Sequence, residues 1–164
     1  MPSIEEIITD VIQAEGGAAV TNDPVDAGDR TQYGISEAAN PAAWADGAVT
    51  EKEAREIYLQ KYVVWPKFHT IPPSHAKLQA QLIDFGVTSG PQHVIQQLQR
   101  LLGVDVDSKL GPQTLQAIRN TDPRILNNNL MAIRIKMVGR VVAKNPTQIK
   151  WLNGWLNRCL EFMA

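Results

Sequence analysis

A chain of 164 residues, 44% hydrophobic and 20% charged, can form one compact domain burying roughly two thirds of its unfolded surface, and no apolar run approaches the ~20 residues of a membrane span. The net charge of −1 conceals a split at Ser108: seven basic against fifteen acidic residues up to that point, then nine against two from Lys109 onward, hence −8 followed by +7. A basic half either attracts an anionic polymer or simply complements the acidic half, and the lone Cys159 excludes an intramolecular disulfide and reads as a packed helix residue.

In the first segment Ile4, Ile7, Ile8, Val11 and Ile12 recur at the offsets of one helical stripe. Ser3 and Glu6 make a capping box at its start, and Gly16-Gly17 stops it. Two glutamates and spaced apolar residues at this N-terminus are the opposite of a secretory signal, so none is expected. A loop rich in glycine and aspartate follows, with a small hairpin in which Ala19 to Asn22 face Thr31 to Ile35. A short helix near Trp44 precedes a second clear helix, "TEKEAREIYLQKYVVW", which opens on the capping box Thr50–Glu53 and ends before Pro66. Further helices are predicted over 74–89, 91–102, from Pro112, from Asp122-Pro123 to about Lys144, and from Asn145-Pro146 to about Phe162. The fold expected is mainly α with one small β-hairpin in the N-terminal loop.

Glu15 stands eleven residues after Ile4, so at 100° per residue it falls within about 20° of the same direction and continues the apolar stripe. Partial burial and the negative end of the helix dipole both favour a protonated carboxylic acid there. Glycoside hydrolysis requires such an acid to protonate the leaving oxygen, with a second group across the cleft to activate water. Asp23, Asp26 and Asp29 are the supply of partners, while the alternative reading of these aspartates is a set of Asx turns.

The stretch "EGGAAVTNDPVDAGDRTQYGIS" resembles the signature of glycoside hydrolase family 108, N-acetylmuramidases found as phage endolysins and bacterial lysozymes. The resemblance implies a lysozyme-like helical fold with Glu15 as general acid, cutting the β-1,4 bond between N-acetylmuramic acid and N-acetylglucosamine of peptidoglycan. It is similar, more distantly, to phage lysozymes, which implies a threonine on the return strand, Thr31, to hold the attacking water. Their second carboxylate matches Asp23 or Asp26: Asp23 suits the end of the first strand and is slightly favoured, Asp26 is closer in spacing to Thr31. Asp29 replaces a glycine common in the family and receives no catalytic role. Gln32, Tyr33 and Gly34 are substrate-contact candidates, with Gly34 letting the return strand pass close to the first helix.

Residues 84–118 look like the peptidoglycan-binding region that accompanies this family, in the pattern Leu-Gln…Leu-Gly-Val…Asp-x-x-x-Gly-Pro-x-Thr, which makes Asp107, Gly111 and Thr114 wall-binding candidates. Ser108 stands where glycine is common, at a cost of roughly 1 kcal/mol if the position needs positive φ. "GWLNR" at 154–158 resembles the family's closing motif, and Trp151 and Trp155, four apart, read as one packed helix face. The division expected is a catalytic region over 1–88 and a peptidoglycan-binding-like region over 89–164, packed as one unit.

His69, His75 and His93 are scattered and lack His-Glu-x-x-His or paired Cys/His spacing, so no metal or other cofactor is expected. Arg134, Lys136, Arg140 and Lys144 spread around their helix, which argues against nucleic acid as partner. The resemblance implies an enzyme that accumulates in the bacterial host cytoplasm and reaches the wall through a holin-type pore, and a monomer is the default expectation. Anionic envelope polymer is a further partner candidate for the basic half. The alternative from another class is a non-catalytic peptidoglycan-binding or secretion-accessory protein of the same fold.

Overall fold

Helix α1, Ile4–Ala14, starts where the sequence puts its cap: the Ser3 N–H donates to Glu6 Oε2 at 2.6 Å and the Glu6 N–H donates to Ser3 Oγ at 3.2 Å. Satisfying these free backbone groups holds the Glu6 carboxyl below the usual glutamate range, the Ser3 N–H contributing most. A computed structural model of the chain describes residues 3–21 and 30–163. Asp23, Asp26 and Asp29 therefore lie outside the described residues. The described chain is mainly α and lysozyme-like, with a single hairpin, and none of its helices is long and apolar enough to cross a membrane.

By packing, the chain divides into two compact units, Pro2–Trp65 and Pro66–Ala164. In the N-terminal unit, α1 packs on α2, Glu51–Leu59, whose Thr50–Glu53 capping box forms as its sequence requires. Between them lie β1, Thr31–Gln32, and β2, Ile35–Ser36, an antiparallel pair in which Thr31 faces Ser36 and Gln32 faces Ile35. Thr21 joins Thr31 by a single bridge, so among the described residues, which leave out Asn22, the expected pairing of 19–22 with 31–35 is one rung beside a tighter hairpin. The segment Pro41–Trp44 is a 3-10 turn. Ile7, Ile8, Val11, Ile12, Ile35, Trp44, Ala54 and Tyr58 are buried in this unit.

The second helix is not α throughout. Gln60–Val64 forms a π turn, with the Trp65 N–H donating to Gln60 O at 2.9 Å. The wider turn shifts the helical phase by one residue, burying Val63 and leaving Trp65 63% exposed. Periodicity cannot register such a shift, because the apolar residues on both sides remain helix formers.

The C-terminal unit is built around α3, Ala76–Ser89, in which every residue from Ala80 to Gly86 is buried. A helix covered on all sides needs neighbours on all sides: α4, Pro91–Leu102, and α6, Pro123–Lys144, pack on it, while α5, Pro112–Arg119, packs on α4. The last element departs from expectation, being a 3-10 turn over Pro146–Trp151 followed by α7, Leu152–Leu160. Trp151 caps α7 instead of sharing a helix face with Trp155, and it is exposed, with the Lys150 ammonium 5.2 Å from its ring.

A cluster of charged groups lies inside this unit. Asp84 on α3 accepts from Arg134 on α6, and from the Nε of Arg158 on α7 at 2.9 Å. The arginine of the closing "GWLNR" motif is thus a strut between helices, and Arg134 is removed from the surface. Arg158 is partly exposed and its loss leaves Asp84 paired with Arg134, so the cost is that of a charge-assisted hydrogen bond, about 1.5–3 kcal/mol. Arg158→Ala is therefore expected to lower unfolding free energy by about 2 kcal/mol in urea titration, while Arg140→Ala, at an exposed position, changes it by about 0.5 kcal/mol or less.

Candidate active site

Glu15 sits at the C-cap of α1, and its placement follows from the two glycines after it. The Gly17 N–H donates to Ile12 O at 3.0 Å and the Gly16 N–H to Gln13 O at 3.2 Å, the paired bonds of a Schellman motif. Gly16 supplies the required positive φ, +104°, a conformation that a side chain would strain. The backbone of Glu15 is thereby locked, its own N–H bonded to Val11 O at 3.0 Å, and its side chain is half-buried at the end of the apolar stripe.

The hairpin comes to this acid. Register leaves Tyr33 and Gly34 as a two-residue loop with φ of 53° and 75°, the two positive values of a type I′ turn. Tyrosine in the left-handed region costs about 1–2 kcal/mol, which surrounding bonds must offset. They do so at both ends of the residue: the Tyr33 N–H donates to Gly17 O at 2.9 Å, and Tyr33 O accepts from the Tyr58 hydroxyl at 3.0 Å. Gly34 then lies so close to Glu15 that a Cβ built on it would stand 2.7 Å from Glu15 Cβ and 3.2 Å from Cγ, and would collide with the Tyr58 hydroxyl. Close passage by glycine is what the sequence predicts of this position, and its neighbour is the proposed acid itself.

Thr31 is tied by its backbone in both directions to Thr21, at 2.9 Å each, and is half-buried. Gln32 turns its amide inward, Nε2 donating to Ala18 O at 3.0 Å, so it fastens the hairpin to the segment after α1. The base of the hairpin is closed by Arg30, which grips Glu37 with Nε and Nη2 at 2.9 Å each and lies 4.9 Å from the Trp44 ring. That grip holds the Glu37 carboxyl below the usual range. The structure brings Glu15, Tyr33 and Gly34 together; Asp23 and Asp26 are outside the described residues. Tyr58 and the Arg30–Glu37 clamp escape sequence reading. The clamp is readable only once the two-residue loop fixes Arg30 opposite Glu37.

In the C-terminal unit, the candidates Asp107 and Thr114 surround a buried glutamine. Gln99 Nε2 approaches Asp107 Oδ1 at 2.7 Å, Lys109 O at 3.0 Å and Thr114 Oγ1 at 3.2 Å, while its Oε1 accepts from the Ser108 N–H at 3.1 Å. Asp107 is held below the usual aspartate range, first by Gln99 and then by the Lys109 N–H. Thr114 is buried within this scaffold. The left-handed residue of the turn is Ser108, φ 64°, whereas Gly111 is extended at φ −91° and so bends nothing that other residues cannot. Ser108 Oγ accepts from Gln96 Nε2 at 2.7 Å, which offsets part of its backbone cost.

A methyl group at position 34 must displace either Glu15 or the turn. Gly34→Ala is expected to reduce any catalysis that depends on the Glu15 carboxyl by roughly 100-fold, the scale on which a misplacement of about 1 Å acts. The check is an initial-rate assay on a sample shown to be folded by circular dichroism. Gly139→Ala, where an added Cβ meets nothing within 4 Å beyond its chain neighbours and the backbone of its own helix, is the neutral control.

The family model described as "Glycosyl hydrolase 108" matches residues 8–90, just over half of the chain, and that of a "Predicted Peptidoglycan domain" matches residues 93–160. The first match runs through the whole of α3 to Gly90, and α3 by packing is the centre of the C-terminal unit. Among solved structures, that of Brucella abortus SagA is similar, with a TM-score of 0.70 and 27% identity, over 94% of this chain and 92% of the other. No curated protein matches the chain. With its peptidoglycan domain the chain is a glycoside hydrolase directed at peptidoglycan, and it belongs to the glycosyl hydrolase 108 family.

Proposed function

We propose that the chain is an N-acetylmuramidase that hydrolyses the β-1,4 bond between N-acetylmuramic acid and N-acetylglucosamine, and so lyses bacterial walls, with Glu15 as general acid. The observation that carries this is the locking of Glu15 from two sides, by the Schellman cap on its backbone and by Gly34 on its side-chain stem. In the reaction Glu15 gives its proton to the glycosidic oxygen as the bond to the anomeric carbon breaks. Asp23 or Asp26 takes a proton from water, whose oxygen bonds to that carbon, and Thr31 orients the water. The products are a new reducing sugar and a free hydroxyl on the other strand. Similarity to phage lysozymes supports inversion at the anomeric carbon.

Among the exposed basic residues of this half, Lys136, Arg140, Lys144 and Lys150 are offered to anionic envelope polymer, whereas Arg134 and Arg158 are engaged by Asp84. Digestion of purified peptidoglycan, repeated across a range of salt concentrations, tests both parts. Mass analysis is expected to show reducing N-acetylmuramic acid ends with the wild type and none with Glu15→Gln. Reducing N-acetylglucosamine, anhydro-sugars or cleaved peptides would contradict the assigned bond, and tight wall binding without cleavage would favour the non-catalytic reading. Wall binding that does not weaken as salt rises would remove the role of the lysines and arginine.

A further inference from the structure

We propose that Tyr58 is a positioning residue for the acid at Glu15, acting through the tip of the hairpin. The inference rests on the reading of Glu15 as the catalytic acid and extends it to a residue on another helix. Tyr58 is 3% exposed, and its ring stacks at a tilt against Tyr62, centroids 5.6 Å apart, which fixes where its hydroxyl points. That hydroxyl donates to Tyr33 O at 3.0 Å. The three atoms nearest a Cβ built on Gly34 are the Tyr58 hydroxyl oxygen and Cβ and Cγ of Glu15, so the hydroxyl, the turn and the stem of the acid converge on one point.

The consequence is a relay of contacts from α2 to α1. The Tyr33 N–H is held from one side by Gly17 O, and its carbonyl from the other by Tyr58. With the carbonyl released, the left-handed Tyr33 is free to relax, Gly34 withdraws from Glu15, and the carboxyl gains rotamers that point away from the scissile oxygen. Tyr58 need not touch substrate for this to matter, because proton transfer tolerates little displacement of the donor. Removal of the hydroxyl alone leaves the ring, and hence the packing of α2, in place.

The test is Tyr58→Phe in the full chain, assayed on solubilised glycan strands at a temperature where thermal denaturation shows the protein fully folded. The expected result is a fall in kcat of roughly 10- to 100-fold with KM changed less than about twofold. A folded Y58F protein with kcat within twofold of wild type overturns the proposal, as does a loss confined to KM. If Y58F does not fold, wild type and Y58F are compared in sucrose, which is excluded from the protein surface and favours the folded state without altering the turn. A lower kcat for Y58F under those conditions supports the relay and equal values overturn it. Glu15→Gln measured alongside separates the two levels: an active E15Q protein defeats the reading of Glu15, whereas an inactive E15Q beside an unimpaired Y58F defeats the role of Tyr58 alone.

Discussion

The close approach of the Gly34 backbone to the stem of Glu15 is the constraint on which the N-terminal unit depends. A helix-ending glutamate is ordinarily a mobile group, able to swing among rotamers and into water. Here the Schellman bonds at Gly16 and Gly17 fix its backbone, and the hairpin tip closes over its Cβ and Cγ. The hairpin can come so near only because position 34 has no side chain and accepts a φ of 75°. The other contacts of the unit, among them the Tyr58 hydroxyl, the Gln32 amide and the Arg30–Glu37 clamp, hold that tip where it is.

The C-terminal unit solves a different problem with the same economy. Its central helix is buried along one continuous stretch, yet carries Asp84, and two arginines from α6 and α7 answer that charge. Nearby, Gln99 serves as a side-chain template around which an exposed loop is wound, holding Ser108 in a left-handed turn. Residues of the wall-binding pattern are thus partly the framework of a turn. Asp107 and Thr114 hold its shape, which leaves its outer edge and the exposed lysines and arginines of the unit as the surface a polymer would meet.

Much of this is legible in the chain because it depends on neighbours in sequence. The capping boxes at Ser3–Glu6 and Thr50–Glu53 and the double glycine after Glu15 act within a few residues, and so does the proline start of α6. Their energetics do not wait for the tertiary fold. Tyr33-Gly34 is partly legible: a glycine after an aromatic suggests a turn, but the two-residue loop emerges only from the pairing of Gln32 with Ile35. Tyr58 is silent in sequence, being one more aromatic on an amphipathic helix until the fold carries it to Tyr33, 25 residues earlier. Asp84 is silent for the same reason, since its partners lie 50 and 74 residues away. Trp151 misleads, because its spacing from Trp155 imitates a helix face that the 3-10 turn over Pro146–Trp151 interrupts.

The central claim is spatial: the carboxyl at position 15, held by cap and hairpin, faces the bond that breaks. The most direct measurement is a crystal structure of the Glu15→Gln protein with a bound peptidoglycan tetrasaccharide. The account predicts the side-chain amide at position 15 within hydrogen-bond distance, about 2.6–3.2 Å, of the oxygen linking N-acetylmuramic acid to N-acetylglucosamine, with Gly34 still packed on its stem. A glycan bound with that linkage far from position 15, or with another carboxylate against the oxygen, would contradict it.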